Sequence, residues 1–263
     1  GDDTLDATFC LGMTVVPLLS SIETFNLTNN GSNTLTLNAT NVSGVDTINQ
    51  VNSTSDLSIT GLQELVDFGF KDISDISVDM SLVFAQSSTT SGSSDEITCT
   101  LENATVGTAT VNTAASNGFE TINFVSQGDT ANRLTTLTKT TGNTLATAMF
   151  FGSQDLQVDA LPNSILTYDA SGMTGELTLG AGSTADSYAA FSTADLSSIT
   201  GGSGNDTFIF GNTLDSNDAK WPTEFIDGSG GWDVVQASFD ASLPTQVPCR
   251  NVEELRFNAT DSI

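Results

Sequence analysis

The chain has 263 residues and a net charge of −26 at pH 7, because it contains 32 Asp and Glu, only 6 Lys and Arg, and no His. Such an acidic chain, without a basic patch, repels nucleic acid and anionic lipid, which excludes a nucleic-acid partner. The lack of histidine removes Ser-His-Asp, Cys-His and H-E-x-x-H chemistry, so the chain is not predicted to be an enzyme. A carboxylate pair for glycoside cleavage stays open in principle. No apolar run approaches the roughly 18 residues of a membrane helix, so no membrane span is predicted.

The first part of the chain predicts short strands at intervals of about ten to twelve residues. They cover 22–28, 34–39, 45–51 and 56–60, and Asn, Gly and Ser residues lie between them. Residues 34–40 alternate polar and apolar side chains, which is typical of a half-buried strand. This spacing fits either the successive faces of a solenoid rung or the strands of a sandwich.

The next region is more apolar and predicts a short helix over 61–68 followed by further strands. A sandwich-like segment around 61–117 is an alternative for this region. Residues 86–96 contain no apolar side chain and are the best candidate for an internal seam. Further strands are predicted at 97–101, 109–111, 121–125, 133–138, 144–151, 165–168 and 176–179.

The most specific motif follows these strands at residues 201–209, which fit the nonapeptide G-G-x-G-x-D-x-U-x at every specified position. The glycines permit sharp turns whose carbonyls point inward, and the aspartate adds a charged oxygen. Residues 228–235 form a second copy with one glycine replaced by serine, and Asp233 follows Asp206 by 27 residues, three times nine. Residues 1–5, which include Asp3, resemble the second half of a third copy. Repeats of this kind build Ca²⁺-binding parallel β-solenoids, because Ca²⁺ takes six to eight oxygen ligands.

The first residues of the sequence align with the last ones when the sequence is shifted by about 230 residues. Recurrence at a fixed period is the signature of a repeat architecture. Residues 1–9 lie on 231–239, and 22–27 lie on 252–257 with the glutamate in register; 119–124 are a third relative. We therefore predict one β-solenoid repeat unit of about 230 residues plus the start of the next, with 1–33 related to 231–263. Convergence of β-rich composition is the alternative explanation.

The three cysteines, Cys10, Cys99 and Cys249, leave at least one thiol unpaired within the chain. A Cys10–Cys99 or a Cys99–Cys249 bridge is possible in an oxidising compartment. Three buried, unpaired side chains that behave as small hydrophobes are an equal alternative.

These motifs give the chain a resemblance to RTX-type bacterial surface-layer proteins of the Caulobacter type and to RTX adhesins. It rests on the nonapeptides, the strands that carry E-T-x-N, and the segment Tyr-Asp-Ala-Ser-Gly-Met-Thr-Gly at 168–175, and it runs through most of 1–60 and 118–263. It implies an all-β, mainly parallel β-solenoid (β-helix or β-roll) with Ca²⁺-binding turns. It further implies a secreted, extracellular protein that self-assembles into an S-layer lattice or a filament on the cell surface.

The alternative function within this resemblance is a Ca²⁺-dependent adhesin module that binds a cell-surface polysaccharide or another surface. Only two Trp and two Tyr are present, so an aromatic platform for sugars is thinly supplied. Two features depart from the RTX pattern: the chain has three cysteines, and only one nonapeptide is perfect.

The resemblance also implies a set of Ca²⁺ ligands, formed by the motif aspartates and glycine carbonyls of adjacent turns. In this chain they are Asp206 with Gly202 and Gly204, and Asp233 with Gly228 and Gly231. Asp3 would complete a site only with residues before Gly1. Irregular sites could use Asp215, Asp218 or Asp227.

Overall fold

The structure is a computed structural model of residues 1–263, and it describes residues 1–85, 94–113, 118–139, 145–180, 198–210, 226–239 and 249–259. Two compact units divide the chain, Gly1–Leu145 and Ala146–Ile263, here called unit 1 and unit 2. Most of the candidate seam at 86–96 lies outside the described residues. The 230-residue repeat unit and the start of a second one stay a prediction.

The described residues of unit 1 form β-strands and one 3-10 turn, Ala39–Asn41. The strands are β1 (Thr4–Phe9), β2 (Thr14–Val15), β3 (Leu19–Ser20), β4 (Thr24–Asn29), β5 (Leu35–Asn38), β6 (Val42–Ser43), β7 (Thr47–Val51), β8 (Leu57–Leu62), β9 (Asp67–Asp75), β10 (Met80–Phe84), β11 (Glu96–Thr113), β12 (Thr121–Gln127) and β13 (Asn132–Lys139).

Every strand pairing described in unit 1 is parallel and joins one rung to the next, so the unit is a parallel β-solenoid. One ladder contains β1, β4, β7, β9, the first half of β11, and β12. A second contains β2, β5, β8, β10, the second half of β11, and β13. The short strands β3 and β6 form a third pair.

The core of unit 1 is built from stacked apolar side chains that alternate with outward polar ones along each strand. In the first ladder, one such stack is fully buried and contains Phe25, Ile48, Phe68, Cys99 and Phe124 in consecutive rungs. Burying a side chain of this kind contributes roughly 1.5–3 kcal/mol. Threonine dominates the outward positions, where its branched side chain suits a pleated surface.

Unit 2 is also built as a parallel solenoid, and its described residues form two ladders of five strands each. The first ladder contains β14 (Thr147–Gly152), β16 (Thr167–Met173), β18 (Ser198–Thr200), β20 (Ile226–Asp227) and β22 (Cys249–Arg250). The second contains β15 (Leu156–Ala160), β17 (Leu177–Leu179), β19 (Thr207–Phe210), β21 (Val234–Phe239) and β23 (Glu254–Ala259).

These ladders confirm the predicted parallel β-solenoid and correct two details of region 61–117. The predicted helix over 61–68 is wrong, because those residues contain the end of β8, a turn, and the start of β9. Gly61 has φ +73°, and the carbonyl of Leu62 accepts a hydrogen bond from Ala85 in the next rung. A sandwich-like segment is absent from the described part of this region, since β8 to β11 continue the same parallel ladders.

Candidate functional site

The two Gly-Asp turns lie in consecutive rungs of unit 2. Residues 201–206 connect β18 to β19, and residues 228–233 connect β20 to β21. Because β19 pairs with β21 in the register Thr207↔Val234, the two turns stack directly. Asp206 and Asp233 each precede that paired position, so they occupy equivalent places one rung apart.

The carboxylate of Asp206 is fully buried and accepts two backbone hydrogen bonds. Leu177, in the preceding rung, donates its N–H to Oδ1 at 2.9 Å, and Gly202, in the same turn, donates to Oδ2 at 2.6 Å. Backbone N–H groups stabilise the ionised form of a carboxylate, which burial alone would disfavour. Asp206 therefore links its own turn to the preceding rung.

Asp233 repeats only half of this arrangement. Its Oδ1 accepts the N–H of Asp206 at 2.8 Å, whereas its Oδ2 is buried and has no hydrogen-bond partner in the structure. Ser229 occupies the place of Gly202 but donates its N–H to Oδ1 of Asp227 at 3.1 Å instead. An unsatisfied buried acceptor costs roughly 1–3 kcal/mol, and more if it is charged. Oδ2 of Asp233 is therefore the atom in this turn that a bound cation would stabilise most.

The stack continues to Glu253, whose Oε2 accepts the N–H of Asp233 at 2.8 Å. Each of these acidic side chains thus accepts a backbone N–H from one rung earlier. We call Asp206, Asp233 and Glu253 the acidic ladder. Like charges stacked in this way repel one another, and a cation placed among them would relieve the repulsion.

Burial and this repulsion raise the pKa of the two aspartates of the ladder. Burial is the main cause that raises the pKa of Asp206, to about 6, and the neighbouring charges of Asp233 and Glu176 add to it. Burial also raises the pKa of Asp233, with Glu253 and Asp227 contributing. The ionised ladder is therefore costly without a counter-charge.

Two glycines pack too closely against these carboxylates to carry a side chain. A Cβ on Gly201 would lie 2.6 Å from Oδ2 of Asp206 and against the carbonyl oxygen of Gly228. A Cβ on Gly228 would lie against Oδ2 of Asp233 and the carbonyl oxygen of Asn251. In each rung, a glycine therefore lets a carboxylate oxygen and a carbonyl oxygen from the following rung lie near each other. Such oxygens are the ligands that Ca²⁺ prefers.

This grouping differs in part from the predicted ligand set. The carbonyl of Gly202 accepts the N–H of Gly230 at 3.1 Å, and the carbonyl of Gly204 lies against Gly231 in the next rung. Gly202, Gly204 and Gly231 therefore serve the close stacking of the turns. The carbonyl of Gly228, which is predicted as a ligand together with Asp233, lies against Gly201 near Oδ2 of Asp206. The ligand set stays a prediction.

Asp227 anchors the second turn. It is 7% exposed, forms an ion pair with Arg250, and accepts a 2.8 Å hydrogen bond from the side-chain amide of Asn251. The hydrogen bond from Arg250 is the main cause that lowers the pKa of Asp227. Because its charge is already compensated, Asp227 has little to offer a cation. Asp215 and Asp218 lie outside the described residues.

Asp3 lies in unit 1, where it makes a contact that recurs elsewhere in the chain. Its N–H donates to Oε2 of Glu23 at 2.7 Å, and its carbonyl accepts the N–H groups of Glu23 and Thr24 at 3.1 Å each. Asp95 and Glu120 make the same contacts, with the side-chain bond at 2.8 Å. We call this arrangement the glutamate clamp. The clamp gives a structural role to the glutamate that recurs in these strands. The sequence shows that the glutamate recurs but does not show what it does.

The glutamate clamp makes the first and last described rungs equivalent. Asp233 and Glu253 form a third clamp, with a side-chain bond of 2.8 Å and backbone bonds of 3.1 and 3.0 Å. Strand β1 pairs with β4 from Thr4↔Thr24, and β21 pairs with β23 from Val234↔Glu254. The shift that aligns the two sequence segments therefore also aligns their hydrogen bonds.

Two further findings limit the chemistry. Over the described ranges, no group of three or more Cys, Asp or Glu side chains is placed to hold a metal ion, so a cation at the ladder would depend on backbone carbonyls as well. None of the described helical segments has the length and apolar character needed to cross a membrane.

All three cysteines are free thiols in the structure. Cys10 is exposed, Cys249 is half-buried, and Cys99 is fully buried in the core stack of unit 1. The possible bridges are therefore not formed here, and Cys99 fits the alternative of a buried small hydrophobe.

Comparisons with known proteins return no significant match, since no family model, no curated protein and no solved structure is similar to the chain. The RTX resemblance therefore stays a prediction from the sequence motifs.

Proposed function

We propose that this protein is a secreted, Ca²⁺-dependent structural protein of the cell surface, which assembles with copies of itself into an S-layer lattice or a filament. The observation that carries the Ca²⁺ part of the proposal is Oδ2 of Asp233, a buried carboxylate oxygen without a partner. It belongs to a stack of acidic side chains in a chain of net charge −26. A divalent cation supplies the missing counter-charge.

The residues that would hold Ca²⁺ are Asp206 and Asp233 through their carboxylates, and Gly228 and Asn251 through their carbonyls. Ca²⁺ takes six to eight oxygens, so water or other carbonyls would complete its shell. Since these four groups come from three consecutive rungs, the bound ion would hold the rungs together. It would also lower the pKa of the carboxylates that burial raises.

The assembly part of the proposal rests on the edges that solenoid rungs present. The edge of a rung offers a row of backbone N–H and C=O groups, which is a template for a further parallel strand. Leu255 and Phe257 on β23 are 44% and 47% exposed. A strand that pairs with β23 would cover these side chains and bury apolar surface.

The equivalence of the rungs supports parallel stacking in particular. Strand β23 corresponds to β4, and within unit 1 the far side of β4 is occupied by β7 in parallel register, from Thr24↔Thr47. Strand β23 and its glutamate clamp therefore match β4 and its clamp, and β4 already has a parallel neighbour on the corresponding edge.

The test is negative-stain microscopy and circular dichroism of the protein in millimolar Ca²⁺, after chelation, and after Ca²⁺ is restored. We expect arrays or fibres that disappear on chelation and return with Ca²⁺. A protein that stays monomeric in all three conditions contradicts assembly. A protein whose thermal stability is the same with and without Ca²⁺ contradicts the metal-dependent part separately.

The second candidate function is the adhesin module, which the outer face of unit 1 favours. That face carries a polar groove lined by outward side chains of the first ladder.

A further inference from the structure

We propose that unit 1 binds a neutral, hydroxyl-rich polysaccharide chain in a groove on the outer face of its first ladder. The groove encloses about 470 Å³ and crosses β1, β4, β7, β9, β11 and β12. This gives a site and a ligand class to the adhesin function, and it does not depend on Ca²⁺ or on assembly, because the acidic ladder lies in unit 2.

The floor of the groove is one row of outward side chains, one from each rung. It contains Asp6, Asn26, Asn49 and Thr100, and Gly69 holds the register between the last two. Neighbouring strands lie about 4.8 Å apart, so the row offers a polar side chain at that interval from Asp6 to Asn49, and another at Thr100. An extended polymer lying across the strands can therefore meet successive rungs in the same way.

The amides on the floor leave an open acceptor. Asn26 donates from Nδ2 to Oδ1 of Asp6 at 2.8 Å, and Asn49 donates from Nδ2 to Oδ1 of Asn26 at 3.0 Å. This ladder of bonds ends at Oδ1 of Asn49, which packs against Gly69: a Cβ on Gly69 would lie 2.7 Å from it and 2.9 Å from the carbonyl oxygen of Thr100, so only glycine fits there. Oδ1 of Asn49 is the acceptor at the end of the ladder, and a ligand hydroxyl could donate to it.

One wall of the groove is a row of long side chains already paired with one another. Lys71 and Glu102 form an ion pair with Nζ and Oε1 2.8 Å apart, and Gln127 donates to Oε2 of Glu102 at 3.2 Å. The single lysine of the groove is therefore neutralised, and Asp6 adds a negative charge. In a chain of net charge −26, this disfavours uronic-acid, sulfated or phosphorylated polymers and leaves neutral ones.

Threonine hydroxyls supply the remaining polar groups. Thr24, Thr47 and Thr100 line the groove, and a hydroxyl can donate and accept at once, as a sugar hydroxyl does. The lining contains no exposed aromatic ring, so we expect weak binding of each sugar unit that strengthens with chain length.

The experiment is affinity electrophoresis of the full chain in gels that contain soluble neutral polysaccharides: a β-1,4-glucan, a β-1,3-glucan and a galactomannan. A polygalacturonate gel is the anionic comparison, and each gel is run with Ca²⁺ and with chelator. We expect retardation by at least one neutral polymer in both conditions, and none by polygalacturonate. The triple variant Thr24→Val, Thr47→Val, Thr100→Val keeps shape and strand propensity, and it should weaken retardation at least tenfold with an unchanged circular dichroism spectrum.

A matched control changes three threonines on the second ladder, Thr36→Val, Thr110→Val and Thr138→Val, and it should bind as the wild type does. Equal binding by the groove variant and the wild type would overturn the proposal, as would retardation by polygalacturonate alone or by no neutral polymer. Thermal hysteresis of freezing, with no retardation in any polysaccharide gel, would identify ice as the ligand of the groove. That result would also overturn the proposal. Because assembly is measured by microscopy and depends on Ca²⁺, failure of the groove proposal is distinguishable from failure of the assembly proposal.

Discussion

The backbone N–H of Asp206 donates a 2.8 Å hydrogen bond to Oδ1 of Asp233, which joins the two motif aspartates across one rung of unit 2. The bond uses one oxygen of Asp233 and leaves the other buried without a partner. The perfect motif copy therefore completes its own turn, whereas the imperfect copy, with Ser229 in place of a glycine, does not. This difference makes the second turn the more sensitive probe of Ca²⁺.

Asp233→Asn should remove most of the Ca²⁺-dependent rise in melting temperature. The amide keeps an oxygen that can accept the N–H of Asp206 but removes the negative charge that would attract the ion. In chelator the variant should be at least as stable as the wild type, because a buried charge with an unsatisfied oxygen has been removed. Thermal unfolding followed by circular dichroism, with millimolar Ca²⁺ and with chelator, measures both effects.

The matched control is Asp129→Asn, which makes the same charge change at an exposed position of unit 1. Its response to Ca²⁺ should equal that of the wild type. If Asp233→Asn gains as much melting temperature from Ca²⁺ as Asp129→Asn does, the acidic ladder is not the site of Ca²⁺ stabilisation.

Without Ca²⁺, the stability of unit 2 should fall as pH rises from about 4 to above 6. Burial raises the pKa of Asp206 to about 6 from an ordinary value of 3.8, so in this window the folded state holds a proton that the unfolded state has released. The effect is at most roughly 3 kcal/mol, since each pKa unit is worth about 1.4 kcal/mol. Urea unfolding in chelator at pH 4 and pH 7 measures it, with Asp206→Asn as the variant that should flatten the profile. Stability that rises across this window in the wild type would contradict the prediction.

The fold was predictable from sequence because its regularity is local and repeated. Residues 34–39 alternate polar and apolar side chains, and the structure places β5 there, at Leu35–Asn38. The helix predicted over 61–68 failed because apolar spacing cannot distinguish a short buried strand from a helix. Hydrogen bonds to the neighbouring rungs, such as the one from Asp67 to the carbonyl of Asp46, decided the outcome. Strand β15 was missed, although its Leu156 and Val158 are buried.

The candidate site was predictable only where the motif itself supplies the atoms. Asp206 and Asp233 follow from the nonapeptide, because the motif fixes their place in the turn. The carbonyl of Asn251 does not, because it reaches Gly228 through the stacking of a rung that carries no motif. Glu253 was visible only as part of a recurring strand, and its bond to Asp233 depends on the parallel register of β21 and β23.

Native alkylation should label Cys10 rapidly and leave Cys99 unreacted. Cys10 is exposed, whereas Cys99 is fully buried, and burial raises the pKa of its thiol far above the usual value, so almost no thiolate forms. Mass spectrometry after iodoacetamide treatment, with and without urea, gives the pattern. Labelling of Cys99 in the native protein would contradict its place in the core. A linked pair of peptides that includes Cys99, with a mass two hydrogens below the sum of the two separate peptides, would identify a disulfide. That result would contradict the free thiols.

Gly231→Ala should destabilise unit 2, whereas Gly230→Ala should not. Gly231 has φ +121°, a backbone conformation that residues with a side chain rarely adopt. A Cβ added there would lie against the carbonyl oxygen of Gly204 in the preceding rung. Strain of this kind costs on the order of 1–3 kcal/mol. Gly230 has an ordinary φ, and the nearest atom to its Cβ would be Cα of Ser203 at 3.9 Å, so alanine there should change stability by less than about 1 kcal/mol. Urea unfolding of both variants gives the comparison. Equal losses would show that the second turn does not stack on the first as described.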